Sequence, residues 1–411
     1  MNKKNAVNML IVLFLFIVFY FYLTTAYPAF KNDDSPETIA SGYTLGIAHP
    51  PGYPLFTLIS KLFTYIPVGS IAFRLNIFAA LLGLTVLLFS FVVIRKTVLL
   101  MFNTDIHSMI GIPALLILAF SYIFWNQAIE AKGGIYLLNL LFLVLLIYLS
   151  IELLINYNKK YLYLMSYILG LSLSNHWPSM IILIPVFSYF YFKYKDKINF
   201  SCILVHVLFV VLGLSAYLYL PIRAKTENIF LFMAKPDNWH DFWWTVTRSG
   251  YEYPKTEIIE MLKGPFFVFI KIFFKNYSFF WPFIFLGIYI SFKMQRKLAI
   301  LNSLICIIVS FIVVMYNRPL KEYLWLIEIF LLPALYVFWI FMVVGLVYVF
   351  NQLKNRIYKN IYLFLIILLI IFMTYKNYTY NNACNNYISY DFGENILRTI
   401  KKDSFYLAQG D

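Results

Sequence analysis

Basic residues in this chain gather in every second interval between long apolar runs. The runs cover approximately 7–27, 75–94, 108–127, 134–151, 161–175, 178–192, 199–222, 277–292, 298–316, 325–350 and 360–375. A helix needs about 20 apolar residues to cross a bilayer. With no water to satisfy its backbone, a spanning segment must be a helix or part of a closed barrel. Runs of this length predict an all-α polytopic membrane protein of about 11 transmembrane helices. The composition, 62% hydrophobic and 13% charged, lies far from the roughly half apolar and quarter charged make-up of a soluble domain. The basic intervals hold Lys3/Lys4, Arg95/Lys96, Lys159/Lys160, Lys193/Lys195/Lys197, Lys293/Arg296/Lys297 and Lys354/Arg356/Lys359. Such intervals face the cytoplasm, and so does the N-terminus. The opposite intervals carry the acids, among them Asp33, Asp34, Glu37, Glu130, Asp237 and Asp241. The net charge of +14 is thus a signal of topology and lipid contact, with membrane lipids rather than nucleic acid as the partner.

One stretch resists a simple count. Tyr161 to Phe192 carries no formal charge, and both of its flanks are basic. A single helix of that length would reach roughly 48 Å, against a hydrocarbon core of ~30 Å. Ser174-Asn175-His176-Trp177-Pro178 breaks it in the middle. Two short helices with a turn at His176 satisfy both flanks. The first run is read as an uncleaved span, because it is longer than a signal core and Pro28 stands where cleavage would fall. Two external segments are long, about 28–74 and 223–275, and Pro54 to Pro67 has the spacing of a helix lying along the interface. A membrane domain over 1–375 and a short external tail over 376–411 complete the division. Cys202, Cys306 and Cys384 read as free thiols, and the acceptor patterns at Asn276 and Asn377 as chance matches.

The segment Asn32 to Leu58 concentrates the chemistry. Asp34-Ser35-Pro36-Glu37 fits a capping box that opens a helix. The same spacing puts both carboxylates on one face, where one can accept a proton from an attacking hydroxyl while the other orients it. His49-Pro50-Pro51-Gly52-Tyr53-Pro54 makes a rigid bend. It either returns the chain to the membrane or sets His49 and Tyr53 beside the acids. His176 either caps its turn or joins them. The second long segment holds Trp239, Trp243, Trp244, Arg248 and Tyr251, and Arg318 with Lys321 lies at the same external level. Tryptophans there form an interfacial belt. Arginine is more pointed, because its planar fork matches phosphate. No second His or Cys stands at metal-ligand spacing, so no metal is expected, and no glycine-rich phosphate loop suggests a nucleotide or other cofactor.

Together these segments resemble a known family. HPPGYPLF after a D-S-x-E segment, then Phe73-Arg74-Leu75-Asn76, is similar to the protein O-mannosyltransferase-like family of GT-C membrane glycosyltransferases. Phe124-Trp125, Tyr136 with Asn139, Gly170-Leu171-Ser172 with Asn175-His176, Tyr219-Leu220-Pro221-Ile222-Arg223, Asn238-Trp239 to Tyr251, and Glu328 to Pro333 extend the likeness. The chain departs from it at Pro36, where relatives usually have Gly, and at Gly134, where they often have Glu; Glu130 stands one turn earlier.

The resemblance implies a GT-C-like bundle with external interfacial helices, in a bacterial inner membrane with the site on the periplasmic face. It implies a polyprenyl-phosphate sugar as donor, a protein or glycolipid hydroxyl as acceptor, and Asp34 as base with Glu37 beside it. The departing phosphate would call on Arg248, with Arg223 or Arg318 as further candidates. Single displacement implies inversion. The rival reading, a transporter or lipid-linked sugar flippase, sits poorly with polar residues gathered at one face and with no visible inverted repeat.

Overall fold

The computed structural model describes all residues except 1–2, 106–107, 228, 252–257, 317–323 and 405–411. Among the described residues, nineteen α-helices follow in order. The first six are α1 (Lys3–Thr25), α2 (Ser35–Thr44), α3 (Pro54–Phe63), α4 (Ile71–Phe102), α5 (Ser108–Ala119) and α6 (Tyr122–Ala128). Then come α7 (Gly133–Ile155), α8 (Lys159–Met180), α9 (Ile184–Lys193), α10 (Phe200–Leu214), α11 (Tyr219–Ala224) and α12 (Trp239–Thr247). The last are α13 (Ile258–Tyr277), α14 (Trp281–Met294), α15 (Arg296–Tyr316), α16 (Leu324–Phe330), α17 (Leu332–Gln352), α18 (Arg356–Asn381) and α19 (Ile388–Thr399). Among the described residues, nine helical elements are long and apolar enough to cross a membrane, ten if α5 and α6, which meet at 69°, form one broken pass.

One of the nine, Lys159–Lys193, doubles back, as the basic flanks predict. His176 leaves helical geometry at φ −150° and ψ 85°. Beyond it the chain returns along the first limb: Ser166 Oγ lies 2.7 Å from the Tyr191 hydroxyl, which donates to the Leu162 carbonyl at 3.3 Å. A straight helix would hold Leu162 and Tyr191 about 43 Å apart. Tyr194 donates to the Leu153 carbonyl at 2.5 Å, so the element ends where α7 ended. α10 then climbs parallel to the first limb, with Tyr163 meeting Cys202, Ser166 meeting His206 and Ser174 meeting the Gly213 carbonyl. Glycine makes that approach possible, since a Cβ at Gly170 would stand 2.4 Å from the Val210 carbonyl. With the two limbs counted separately, the passes agree with the eleven read from the sequence.

α17 is the axis of the bundle. It is apolar on every side and 83% of its spanning window is buried, as the sequence of a helix ringed by α4, α7, α14 and α15 requires. α1 and α18, 22% buried, turn most of their surface to lipid. α4 is longer than its predicted span. Its last turns carry Arg95, paired with Asp105 at 2.6 Å, and Lys96, paired with Glu152 at 2.8 Å.

The loops at the other end are tied to the bundle by side chains. Asn76 Nδ2 donates to the carbonyls of Tyr27 and Ala29 at 2.7 and 2.9 Å, which fixes the chain as it leaves α1. Arg74 caps the turn after α3 through the carbonyls of Thr64, Val68 and Gly69. The first long loop pairs with the second: Ile47 donates to the Phe230 carbonyl at 2.8 Å, and its own carbonyl accepts from Phe232 at 2.9 Å. Asn276 and Asn377 are buried and bonded to Ile123 and Phe120, which closes both to glycans.

Candidate active site

Two adjacent acids at the start of α2 face opposite ways. Asp33 Oδ1 accepts the Ser35 N–H at 2.8 Å, and its other oxygen pairs with Lys31 at 3.2 Å. Asp34 occupies the N-cap position but makes no side-chain capping bond, so the capping box does not form. Its carboxylate points instead to Lys132 Nζ at 3.1 Å, with His49 Nε2 at 4.0 Å, and its side chain is 41% exposed. Glu37 is buried one turn later. Its two oxygens accept the His49 backbone N–H at 2.5 Å and His49 Nδ1 at 2.7 Å. With that proton on Nδ1, Nε2 accepts the Tyr53 hydroxyl at 2.7 Å.

The proline bend makes this row possible. Gly52 N–H closes a turn onto the His49 carbonyl at 2.7 Å, and Gly52 sits at φ 86° with Leu220 3.0 Å from where a Cβ would be. Only glycine suits that place. Tyr53 follows in the left-handed region at φ 42°, a conformation that costs about 1–3 kcal/mol and recurs at functional sites. The twist aims its ring between two groups. One face stacks on His176, centroids 5.7 Å apart and planes within 3°, and Lys132 Nζ lies 4.3 Å from its centre. His176, at the apex of the doubled-back element, also packs on Phe330 and Tyr136. Its broken backbone is satisfied by Asn139, which donates to the His176 carbonyl at 2.9 Å, and Asn175 Nδ2 joins Asn139 Oδ1 at 2.7 Å.

The charges make one microenvironment. Lys132 beside Asp34 holds its carboxyl below the ordinary range, burial opposes this, and His49 and Arg248 add to the lowering. Burial pushes the His49 imidazole down, so the ring is neutral. Arg248 closes α12 at φ 61°, lies over the Tyr251 ring at 4.5 Å, and has a buried Nε with no protein partner. The ligand atoms of Asp34, Glu37 and His49 lie within 4.8 Å of one another, yet each has a protein partner.

Other expected residues lie elsewhere. Arg223 binds the carbonyls of Leu45 and Thr44 at 2.8 and 3.2 Å, where it finishes α2 rather than facing the carboxylates. Trp239 is 73% exposed and stacks on Phe242, as an interfacial belt residue does. Arg318 and Lys321 fall outside the described residues. Glu130 pairs with Lys31 at 2.7 Å on the Asp33 side and is separate from the Asp34 group. A side chain at Gly134 would meet the Phe56 ring at 2.9 Å, so that position takes no acid in this packing. Sequence reasoning missed Lys132. It reads as one basic residue in an apolar loop, and only the fold shows it buried against an acid from 98 positions earlier.

Residues 34–199 match the family described as Protein O-mannosyl-transferase TMEM260 N-terminal domain. A Dictyostelium discoideum protein named Protein O-mannosyl-transferase tmem260 is 23% identical over 461 aligned positions, which cover 100% of this chain and 55% of that one. Its Mus musculus namesake is 31% identical over 198 residues, 46% of this chain and 27% of that protein. The chain therefore spans about half the length of the first relative and less of the second. These matches support the protein O-mannosyltransferase-like family read from the sequence. Among solved structures, ArnT from Cupriavidus metallidurans bound to undecaprenyl phosphate has a TM-score of 0.50 at 14% identity, covering 85% of this chain and 60% of that one. The oligosaccharyltransferase of Archaeoglobus fulgidus in the apo form has a TM-score of 0.56 at 12% identity, covering 98% and 59%. AglB from the same organism, in complex with an inhibitory peptide and a dolichol-phosphate, has a TM-score of 0.51 at 11% identity, covering 97% and 61%. The fold is that of a GT-C glycosyltransferase bundle.

Proposed function

We propose that this chain is a membrane glycosyltransferase that moves a mannose-like hexose from a polyprenyl-phosphate donor to a hydroxyl on a protein or glycolipid acceptor. The observation that carries the reading is Asp34. It is the one acid of the cluster whose carboxylate is both open to solvent and held ionised, by Lys132 at 3.1 Å. A carboxylate so placed accepts a proton but does not donate one. The acceptor hydroxyl loses its proton to Asp34 as its oxygen bonds to the anomeric carbon. The bond from that carbon to the lipid phosphate breaks, and the phosphate leaves with the electron pair. The phosphate needs positive charge rather than a proton. Arg248, with an unpartnered Nε, suits it. A single displacement inverts the anomeric centre. Support for the lipid donor comes from the undecaprenyl phosphate and dolichol-phosphate bound by fold neighbours, and for a protein acceptor from the inhibitory peptide bound by one of them.

Glu37 has no free oxygen and serves to hold His49. Both oxygens of Glu37 and both ring nitrogens of His49 are engaged, and one oxygen of Asp34 stays free for the acceptor. The positive-inside pattern supports a site on the external face, which we take to be the periplasmic face of a bacterial inner membrane. The test is transfer from polyprenyl-phosphate sugars in detergent, wild type against Asp34→Asn. Loss of a general base lowers the rate by about 10²–10⁴-fold. Asp34 makes no capping bond to lose, so a correctly inserted Asp34→Asn protein with full activity would remove it from the mechanism.

A further inference from the structure

Lys132 is buried, and its ammonium has no hydrogen-bond acceptor of ideal geometry in the protein. A buried ammonium is costly unless it is paired. Its pair is the Asp34 carboxylate at 3.1 Å, and the Tyr53 ring lies 4.3 Å below it. The backbone around it is fixed. Lys132 occupies the N-cap position of α7, its own N–H reaches Ser35 Oγ at 3.4 Å, and a Cβ at Gly133 beside it would stand 2.1 Å from the Gln127 carbonyl oxygen. The lysine is therefore aimed by the same Ser35 that opens α2, the helix Asp34 precedes.

Resting on the glycosyl-transfer reading, we infer that Lys132 is the positioning residue of the site: its ammonium clamps one oxygen of Asp34 and leaves the other for the acceptor hydroxyl. Other groups face Asp34 from each neighbouring element. Arg248 at the end of α12 is the second fixed cation, and His49 before α3 is neutral because it is buried. Glu37 in α2 belongs to the same cluster, and the hydroxyls of Tyr53, Tyr136 and Tyr251 are neutral neighbours of the carboxylate. Among the described residues Lys132 is the cation nearest to the carboxylate. Its burial keeps the ammonium from touching the donor phosphate in this arrangement, so it acts through Asp34 and leaves the phosphate to Arg248.

The test reads Asp34 directly. A carbodiimide modifies a protonated carboxyl, and mass spectrometry of the detergent-purified full chain counts the label on Asp34 against pH. The wild type should resist labelling until the pH is well below the ordinary carboxylate value of about 3.9. Lys132→Met should label at least tenfold more at pH 5, and Lys132→Arg should follow the wild type. The acid limb of the transfer rate should move to higher pH in Lys132→Met by the same interval. A residue that only packs would lower thermal stability without moving either curve. Wild-type labelling with a midpoint at or above about 3.9 would overturn the inference even if Lys132→Met failed to fold. Labelling needs no transfer activity, so an inactive wild type with the expected labelling curve would instead refute the glycosyl-transfer reading.

Discussion

Glu37→Gln removes one charge and changes no shape, and the structure fixes what it should do. Glu37 accepts two hydrogen bonds from one residue, the His49 N–H at 2.5 Å and Nδ1–H at 2.7 Å. A glutamine amide has one acceptor oxygen. If that oxygen keeps the backbone N–H, the amide NH₂ faces Nδ1, which must then give up its proton. The imidazole proton moves to Nε2, and the bond to Tyr53 at 2.7 Å reverses direction. The buried Tyr53 O–H then loses its acceptor and two charge-assisted bonds become neutral ones, a loss of about 2 kcal/mol. If the ring does not switch, a buried donor is left unpaired and the cost rises to about 3 kcal/mol. Asp34 and Lys132 are untouched, so activity should fall by about tenfold or less, the effect of a misplaced His49 and Tyr53. Thermal unfolding in detergent and initial rates of transfer measure the two effects. A Glu37→Gln protein as stable as the wild type and as inactive as Asp34→Asn would refute this reasoning and make Glu37 the base.

Arg248→Lys keeps the charge but loses the planar fork, so it should retain a fraction of the transfer rate and Arg248→Ala much less; equal losses in kcat/KM would argue against phosphate recognition by the guanidinium. Burial lowers His49, so the unfolded chain binds a proton that the folded one refuses. That contribution is complete above about pH 6.5 and fades as the pH falls toward the folded value. The unfolding midpoint should therefore drop between about pH 7 and pH 5, less so in His49→Gln, and identical slopes would contradict the assignment. For orientation, single cysteines replace Val68 and Asp196 in a background without the three native thiols. An impermeant reagent should reach Val68→Cys in intact cells and Asp196→Cys only after the inner face is opened, and the reverse order would invert the topology.

The sequence made the bundle legible because membrane physics leaves few choices. Charge alternation gave the order of passes, and the charge-free stretch around His176 showed its own reversal through length alone. The proline bend was legible as rigid, yet rigidity does not say what is aimed. That depended on Tyr53 entering the left-handed region and on Glu37 turning inward to His49. Asp34 and Asp33 are equivalent in sequence, and only Ser35 and Lys31 decide which of them caps the helix and which stays free. Arg223 and Arg248 looked alike for the same reason. One binds the end of α2 and the other keeps an unpartnered nitrogen, a distinction made by the pairing of Ile47 with the 230–232 segment, far away in the chain. Lys132 was invisible because no local pattern marks a lysine whose partner arrives from another loop.

The doubled-back element has limbs of roughly 17 residues, each reaching about 25 Å. Both of its ends are basic and rest at one surface of a hydrocarbon layer of about 30 Å. Its apex, with His176 and the Tyr53 ring stacked on it, therefore stops a few ångströms short of the opposite surface. Acyl-chain length thereby becomes a control on hydration. A thicker bilayer submerges the carboxylate row further and strengthens the Lys132–Asp34 attraction, while a thinner one lets water in and weakens it. Lipid tails would then set how hard Asp34 pulls on a proton.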